Sequence, residues 1–478
     1  MFESTATTFA SIVVLALAGY GYHKYYKYLV LQKMENAFNP GDPVLELAAM
    51  GKGLPSSILQ EDDQDWIRHN EQAKIDAIIN GSDRGHYHLL IGEKGTGKSS
   101  MLLHAMQKID GEGVSMFEAH ADLEIFRIRL GKALDYEFHE DYIGSLFSIK
   151  GPREGNTALL DIERAFNKLE KVALRRRRTT DGRPLILVIN STHLLRDDED
   201  GRDLLELIQQ RAEQWAASNL VTVVLNSDDY WVYERLKQYS TRMEVLPVLD
   251  LPRDQAMKAV KQFRRRYYDE EPTNRTLDQV YNRVGGRLTF LTRVAKSPDM
   301  LHACDEICQV EKTWFLNNCG ILGETMDDDV MDQQKYASAA MVLAKALVDQ
   351  EKETVESQDS ERGRLLPQIP LHKAREIMTR ADFIKDYDHI NIFTIDAQAM
   401  VRADSVPMLN AFRQICNEPG FEEHLEATLD RIGAIESLGR TREVVAKDLI
   451  FGKYKISGKS DRGNAITVEV QPMESPDG

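Results

Sequence analysis

Two short stretches carry residue types that could do chemistry. In the first, the apolar run from His86 to Ile91 leads into Gly92-Glu93-Lys94-Gly95-Thr96-Gly97-Lys98-Ser99-Ser100. After it, Met101, Leu102, Leu103 and Met106 mark a helix. Strand, glycine-rich loop and helix in that order make a P-loop. Gly92, Gly95 and Gly97 let backbone amides curl around phosphates, and the helix N-terminus adds its positive end. Lys98 is placed to reach the β- and γ-phosphates of ATP, and the Ser99 hydroxyl is a ligand for Mg²⁺.

The second stretch, Leu185-Ile-Leu-Val-Ile-Asn190-Ser191, is a strand that ends where an acidic pair would serve hydrolysis. Asn190 can accept and donate hydrogen bonds but brings no charge to a metal. Ser191 is a poor general base. A missing base costs about 10²–10⁴ in rate, so ATP is expected to be bound and hydrolysed weakly or not at all. Three groups could restore an acid or base: Asp228 or Asp229 after the Asn226-Ser227 pair, His193, or an acidic residue from a neighbouring subunit.

The positioning elements follow from apolar runs separated by helical stretches. His86–Ile91, Val114–Ala119, Leu185–Asn190, Leu220–Asn226 and Met243–Leu249 read as strands, and their alternation with helices predicts a parallel sheet covered on both faces. Ligands sit at the carboxyl ends of such strands, so Asn190 and Asn226 should point toward the P-loop.

With these motifs in place, the chain resembles the AAA+ superfamily, in its origin-recognition and archaeal-ATPase-like branch. More narrowly it is similar to fungal membrane-anchored AAA+ proteins with a C-terminal winged helix. The resemblance covers roughly residues 58–447. It implies strand order 5-1-4-3-2 and a helical lid behind the sheet. It also implies that Asn190 takes the place of the acid that holds Mg²⁺ through its waters. Asn226 then falls where a polar group orients the attacking water, and Arg242 where a neighbour's arginine finger is carried. Arg287 matches a lid arginine that senses nucleotide, and Trp66 and Ile67 line the adenine pocket. The plainer reading of Arg242 and Arg287 is a solvated surface charge.

The remaining chain divides as follows. Residues 4–28 are expected to form an N-terminal transmembrane anchor: the run Ser4–Tyr22 is uncharged and near the length of a membrane-crossing helix. Tyr20, Tyr22, Tyr25, Tyr26 and Tyr28 make an interfacial belt, and Lys24, Lys27 and Lys33 follow, which puts the main body on the cytosolic side. A short apolar span with a basic flank resembles anchors of the mitochondrial outer membrane; the endoplasmic reticulum is the other candidate. Residues 29–59 read as a linker, 60–252 as the nucleotide-binding domain, and 253–356 as lid and connecting helices. Residues 365–447 read as a winged-helix-like domain and 457–478 as a disordered tail. Ala337, Met341, Ala344 and Val348 form a packing stripe.

Bulk properties narrow the partners. The net charge of −16 disfavours a polyanion, and the 365–447 segment mixes acids with bases. Nucleic acid is therefore an unfavoured partner, and a membrane, further copies of the chain and an unnamed protein client are the expected ones. An ATP-driven remodeller and a DNA-binding ATPase are the alternative functions. Four cysteines give no disulfide framework, and Cys304, Cys308 and Cys319 read as buried thiols on a core helix. The run Arg175–Arg178 reads as a solvated helix end, with contact to lipid headgroups or nucleic acid as the alternative.

Overall fold

The computed structural model describes residues 2–41, 45, 69–138, 157–178, 182–323, 331–354, 366–451, 454–460 and 466–472. At its centre lie β1 (Tyr87–Ile91), β2 (Val114–Glu118), β3 (Leu185–Asn190), β4 (Val221–Ser227) and β5 (Met243–Pro247). They form one sheet in the order β2-β3-β4-β1-β5, and every pairing in it is parallel. This is the expected order. β1, β3 and β4 are buried throughout, which is why they read as near-continuous apolar runs without alternation.

Helices cover both faces. On one side, α2 (Gln72–Ile79) and α3 (Lys98–Lys108) pack under β1, β2 and β3. On the other lie α4 (Leu123–Ala133), α5 (Ala158–Arg176) and α6 (Glu199–Ser218), with Trp215 wholly buried against Phe166. The strand β4 leads into α7 (Tyr230–Lys237). A lid follows, built from α8 (Arg253–Tyr268), α9 (Asn274–Val284), α10 (Leu288–Lys296) and α11 (Met300–Cys319), with its own apolar centre. Cys304 is buried there and Cys308 is partly buried, while Cys319, at the end of α11, is buried in the core of the C-terminal domain; burial pushes all three thiols up.

Three boundaries differ from the expectation. The helix α1 (Phe2–Asn36) runs through the start of the expected linker, because Val30, Met34 and Phe38 recur at helical spacing and are buried in the core of the nucleotide-binding domain. The basic run at the end of α5 divides: Arg177 and Arg178 are exposed, as expected of a solvated helix end, while Arg175 and Arg176 receive α1. Arg175 stacks over Tyr28 at 4.9 Å and pairs with Glu35, and Arg176 donates to the Phe38 carbonyl. Among the described residues no helix is long and apolar enough to cross a membrane. The side chains of residues 2–8, where the apolar run begins, lie outside the description. Phe9, Ile12, Val14, Leu15 and Leu17 are all exposed.

Second, α12 (Met331–Thr354) belongs with the C-terminal domain. Its Ala340, Met341, Ala344 and Val348 pack with Tyr387, Phe393 and Phe412. That domain continues with β6 (Ile369–Pro370), α13 (Leu371–Met378), α14 (Phe383–His389), β7 (Phe393–Ile395), β8 (Met400–Ala403) and α15 (Val406–Cys416). Its small sheet runs β6-β8-β7 with antiparallel pairing. A long helix, α16 (Phe421–Phe451), follows.

Third, the expected disordered tail holds β9 (Tyr454–Ser460) and β10 (Ile466–Pro472), an antiparallel hairpin. Ile466, Thr467, Val468 and Val470 are β-branched residues that favour an extended chain.

Candidate functional site

The strand β1 ends at Ile91 and the chain turns sharply through the glycine loop into α3. A Cβ at Gly92 would run into the Val248 carbonyl. Gly95 and Gly97 take φ of 87° and 103°, left-handed values that favour glycine. The Lys98 ammonium, buried in this loop, donates to the carbonyls of Gly92 at 2.7 Å and Glu93 at 2.8 Å. It also pairs with Asp228 Oδ1 at 2.8 Å. Burial pulls the Lys98 pKa down, and Asp228 opposes the shift.

Parallel pairing brings three short polar side chains together beside this lysine. The Ser99 hydroxyl donates to Asn190 Oδ1 at 2.9 Å, and Asn226 Nδ2 donates to Ser99 Oγ at 3.1 Å and to Asn190 Oδ1. Asn190 and Asn226 are buried, Ser99 is partly so, and the three carry no charge. Ser99 Oγ and Asn190 Oδ1 are oxygen donors of the kind Mg²⁺ takes, and the buried Asn226 Oδ1 has no hydrogen-bond partner among the described residues. The residues present therefore fit a nucleotide–Mg²⁺ complex with neutral protein ligands. When bound, Mg²⁺ would neutralise phosphate charge. Ser99 and Asn190 would orient it, and Asn226 has an oxygen free to accept from a water.

The adjacent aspartates separate. Asp228 stays in the site: besides Lys98, its amide donates to His193 Nδ1 at 3.2 Å, and its carboxylate lies 3.7 Å from His193 Nε2. Asp229 turns away to meet His389 Nδ1 of the C-terminal domain at 2.7 Å. Burial raises the Asp229 carboxyl, with His389 pulling the other way. Of the two rescue acids, only Asp228 stands beside the P-loop lysine. Ser191 holds φ +54° at the start of a 3₁₀ turn, Thr192–Leu194.

Arg287 is no surface charge. It is 2% exposed, donates to Asp250 at 2.9 Å, and reaches Asp404 beyond β8 at 2.8 Å. Its charge is near enough to Lys98 to depress that lysine's pKa. Arg242 is exposed beside the first residue of β5, where its carbonyl accepts from the Tyr87 amide. That is the end of the sheet away from the chain's own P-loop. Trp66 and Ile67 lie outside the described residues. Lys94 and Ser100 are surface-facing members of the loop and of α3.

Three residues near the loop carry no motif. His69 is buried with Nε2 unpartnered among the described residues, and a Cβ on Gly97 would lie 3.6 Å from it. Burial lowers its pKa, which leaves a neutral ring able to bond a base or a phosphate-bound water. Arg402 of β8 forms a buried ion pair with Glu93 of the P-loop. Asp404, two residues on, holds Arg287. The alternation Arg402-Ala-Asp404 in an apolar setting is the only sequence signal that both face one partner.

Glu311 on α11 reads this contact electrostatically. Burial and then Asp404 push its carboxyl up to about 7, while Arg287 pulls the other way. A carboxyl raised on folding contributes stability that is complete below its unfolded value, near 4.5, and is lost as pH rises through about 7. Glu311→Gln mimics the protonated form, so its Tm should exceed that of the natural protein at pH 8. The gap should close by about pH 4.5. Thermal melts across that range test this, and a gap independent of pH contradicts it.

A five-stranded parallel sheet with a lysine-bearing glycine loop after β1 defines a P-loop nucleotide-binding protein. Residues 67–224 match the AAA ATPase domain family, and residues 317–436 match the C-terminal winged helix domain of fungal AAA proteins. The chain therefore carries an AAA ATPase domain followed by a winged helix domain of the fungal AAA type, and the second match includes α12. No curated protein matches the chain. Similar solved structures include the Walker-type ATPase of Pyrococcus abyssi, at 11% identity over 73% of this chain and 97% of that one, with a TM-score of 0.47. Two others are the replication initiator DnaA bound to AMPPCP and single-stranded DNA (10%, 78% and 95%, 0.33) and the Thermotoga maritima RuvB Holliday junction branch migration motor (10%, 73% and 95%, 0.30).

Proposed function

We propose that this chain is a membrane-anchored ATP-binding protein whose nucleotide state sets the docking of its winged helix, and through it assembly or partner contact. The observation that carries the reading is the buried Arg402–Glu93 pair, which ties the winged helix to the P-loop itself. A ligand shifts a conformational equilibrium only by binding two states differently. Phosphates in the Gly92–Ser99 loop would contact the same backbone that presents Glu93, so they have a direct means of doing so. Hydrolysis is not required for such control, and the neutral pair at Asn190 and Ser191 makes it slow.

The anchor reading rests on α1. Its first half exposes large apolar side chains, a surface that water disfavours, while its second half is pinned to the ATPase domain. The basic residues after the apolar run favour a body on the cytosolic side, and the likeness of a short apolar span with a basic flank to mitochondrial outer-membrane anchors favours that membrane over the endoplasmic reticulum. Self-assembly would bring the exposed Arg242 to a neighbour. DNA binding is disfavoured because α14, the second helix of the helix-turn-helix pair and the usual groove reader, faces the ATPase domain. There Lys385 meets Glu234 at 2.5 Å and Asp388 accepts from the Tyr230 amide at 2.8 Å.

An ATP-driven remodeller is the second reading, favoured by the position of Asp228 between Lys98 and His193. Measuring bound nucleotide and phosphate release by the detergent-purified full chain, beside Lys98→Ala, separates the two. The expected result is retained ATP with turnover far below once per second, and loss of ATP in the variant. Turnover on the order of once per second, abolished by Lys98→Ala, would support the remodeller instead.

A further inference from the structure

At the opposite end of β1 from the P-loop stands a second polar cluster that the nucleotide chemistry does not use. His88, on β1, is paired in register with Glu244 on β5, so their side chains stand side by side. Asp83, in the turn before β1, closes the group, and the ligand atoms of these three residues all lie within 4.8 Å of one another. His86 borders it, with Nδ1 3.5 Å from Glu244 Oε1 and 3.9 Å from Asp83 Oδ1.

The His88 ring is completely buried, yet neither of its nitrogens has a hydrogen-bond partner among the described residues. Buried imidazoles are ordinarily satisfied, and this ring has two carboxylates beside it. A cation already marks the position: the Lys74 ammonium bridges Asp83 at 2.5 Å and Glu244 at 3.0 Å. Its side chain is 43% exposed and can swing into solvent.

We propose that Asp83, His88 and Glu244, with His86 as a fourth donor, form a binding site for a divalent transition metal, Zn²⁺ in the first instance, that staples β5 and the preceding turn to β1. Imidazole and carboxylate suit Zn²⁺ in a tetrahedral site. Bonds of about 2.0–2.2 Å place ligand atoms roughly 3.5 Å apart, so the group closes by about an ångström around the ion. Lys74 and the metal compete for the same two carboxylates.

The test uses the full chain, purified in detergent, stripped with a chelator and titrated with Zn²⁺ alone or Co²⁺ alone, without nucleotide. One ion per chain is expected, with an upward thermal shift and the visible absorption of tetrahedral Co²⁺. Asp83→Asn and Glu244→Gln should each weaken binding about tenfold or more, Lys74→Met should strengthen it, and Lys98→Ala should leave it unchanged. The proposal is overturned if the natural chain takes up no stoichiometric Zn²⁺. It is equally overturned if uptake survives both Asp83→Asn and Glu244→Gln, or if it falls with Lys98→Ala. The partly exposed Asp83 and Glu244 carry the test because replacing the buried His88 could unfold the sheet.

Discussion

The double variant Asn190→Asp/Ser191→Glu should hydrolyse ATP about 10²–10⁴ times faster than the natural chain. The scaffold for this gain is already present. Asn190 Oδ1 accepts from Ser99 at 2.9 Å and from Asn226, and an aspartate keeps both acceptor roles while bringing a charge to Mg²⁺. The carboxylate introduced at position 191 supplies the base that a serine hydroxyl does not. Ser191 lies in left-handed backbone, a strain that the serine Cβ already carries, so a longer side chain adds no new backbone cost. Phosphate release, corrected with Lys98→Ala in the same background, is the measurement. An unchanged rate would show that the acid pair is not what limits this chain, and would direct attention to Asp228.

Removing Arg402 should have the largest effect on stability. Arg402→Met leaves the Glu93 carboxylate buried without its cation, and breaking a buried pair from one side costs about 3–5 kcal/mol. The loss falls on the contact between P-loop and winged helix, so it should appear as a lowered Tm and as faster proteolysis between the two domains. Replacing both partners, as Arg402→Met/Glu93→Met, removes the stranded charge and should recover most of the loss, since apolar substitutes for a buried pair are often near neutral. If docking reports nucleotide state, the single variant should also lose any protection that ATP gives against the protease. Equal protection in the variant and the natural chain would separate the winged helix from the nucleotide site.

The legible part of this protein is local. A strand, three glycines, Lys98 and Ser99 specify the P-loop within a dozen residues, because the geometry it requires is set by neighbouring backbone angles. The neutral ending of β3 at Asn190 is equally visible, and parallel pairing alone carries Asn190 and Asn226 to the same edge as Ser99. The period of apolar residues likewise marks the helices of the lid and the winged helix. It does not say that α12 joins the core of the C-terminal domain, nor that the polar tail closes into a hairpin.

What the tertiary structure decided lies in long-range choices between equivalent residues. Asp228 and Asp229 are adjacent and chemically alike, but the turn after β4 sends one to Lys98 and the other to His389. Arg287 is buried between Asp250, just after β5, and Asp404 of the winged helix, two partners far from it in sequence. The basic run at Arg175 is a socket only because α1 continues past its apolar half and lies against it. Glu93 and Arg402 are separated by most of the chain, and His88 gains its two carboxylates from a turn and from the sheet-edge strand β5. By itself the sequence determined the loop that can hold phosphates and the missing acids beside it, since both depend on contacts within or between neighbouring strands. The connection from that loop to the winged helix depends on how the sheet, the lid and the C-terminal domain bury their charges against one another, which no local pattern encodes.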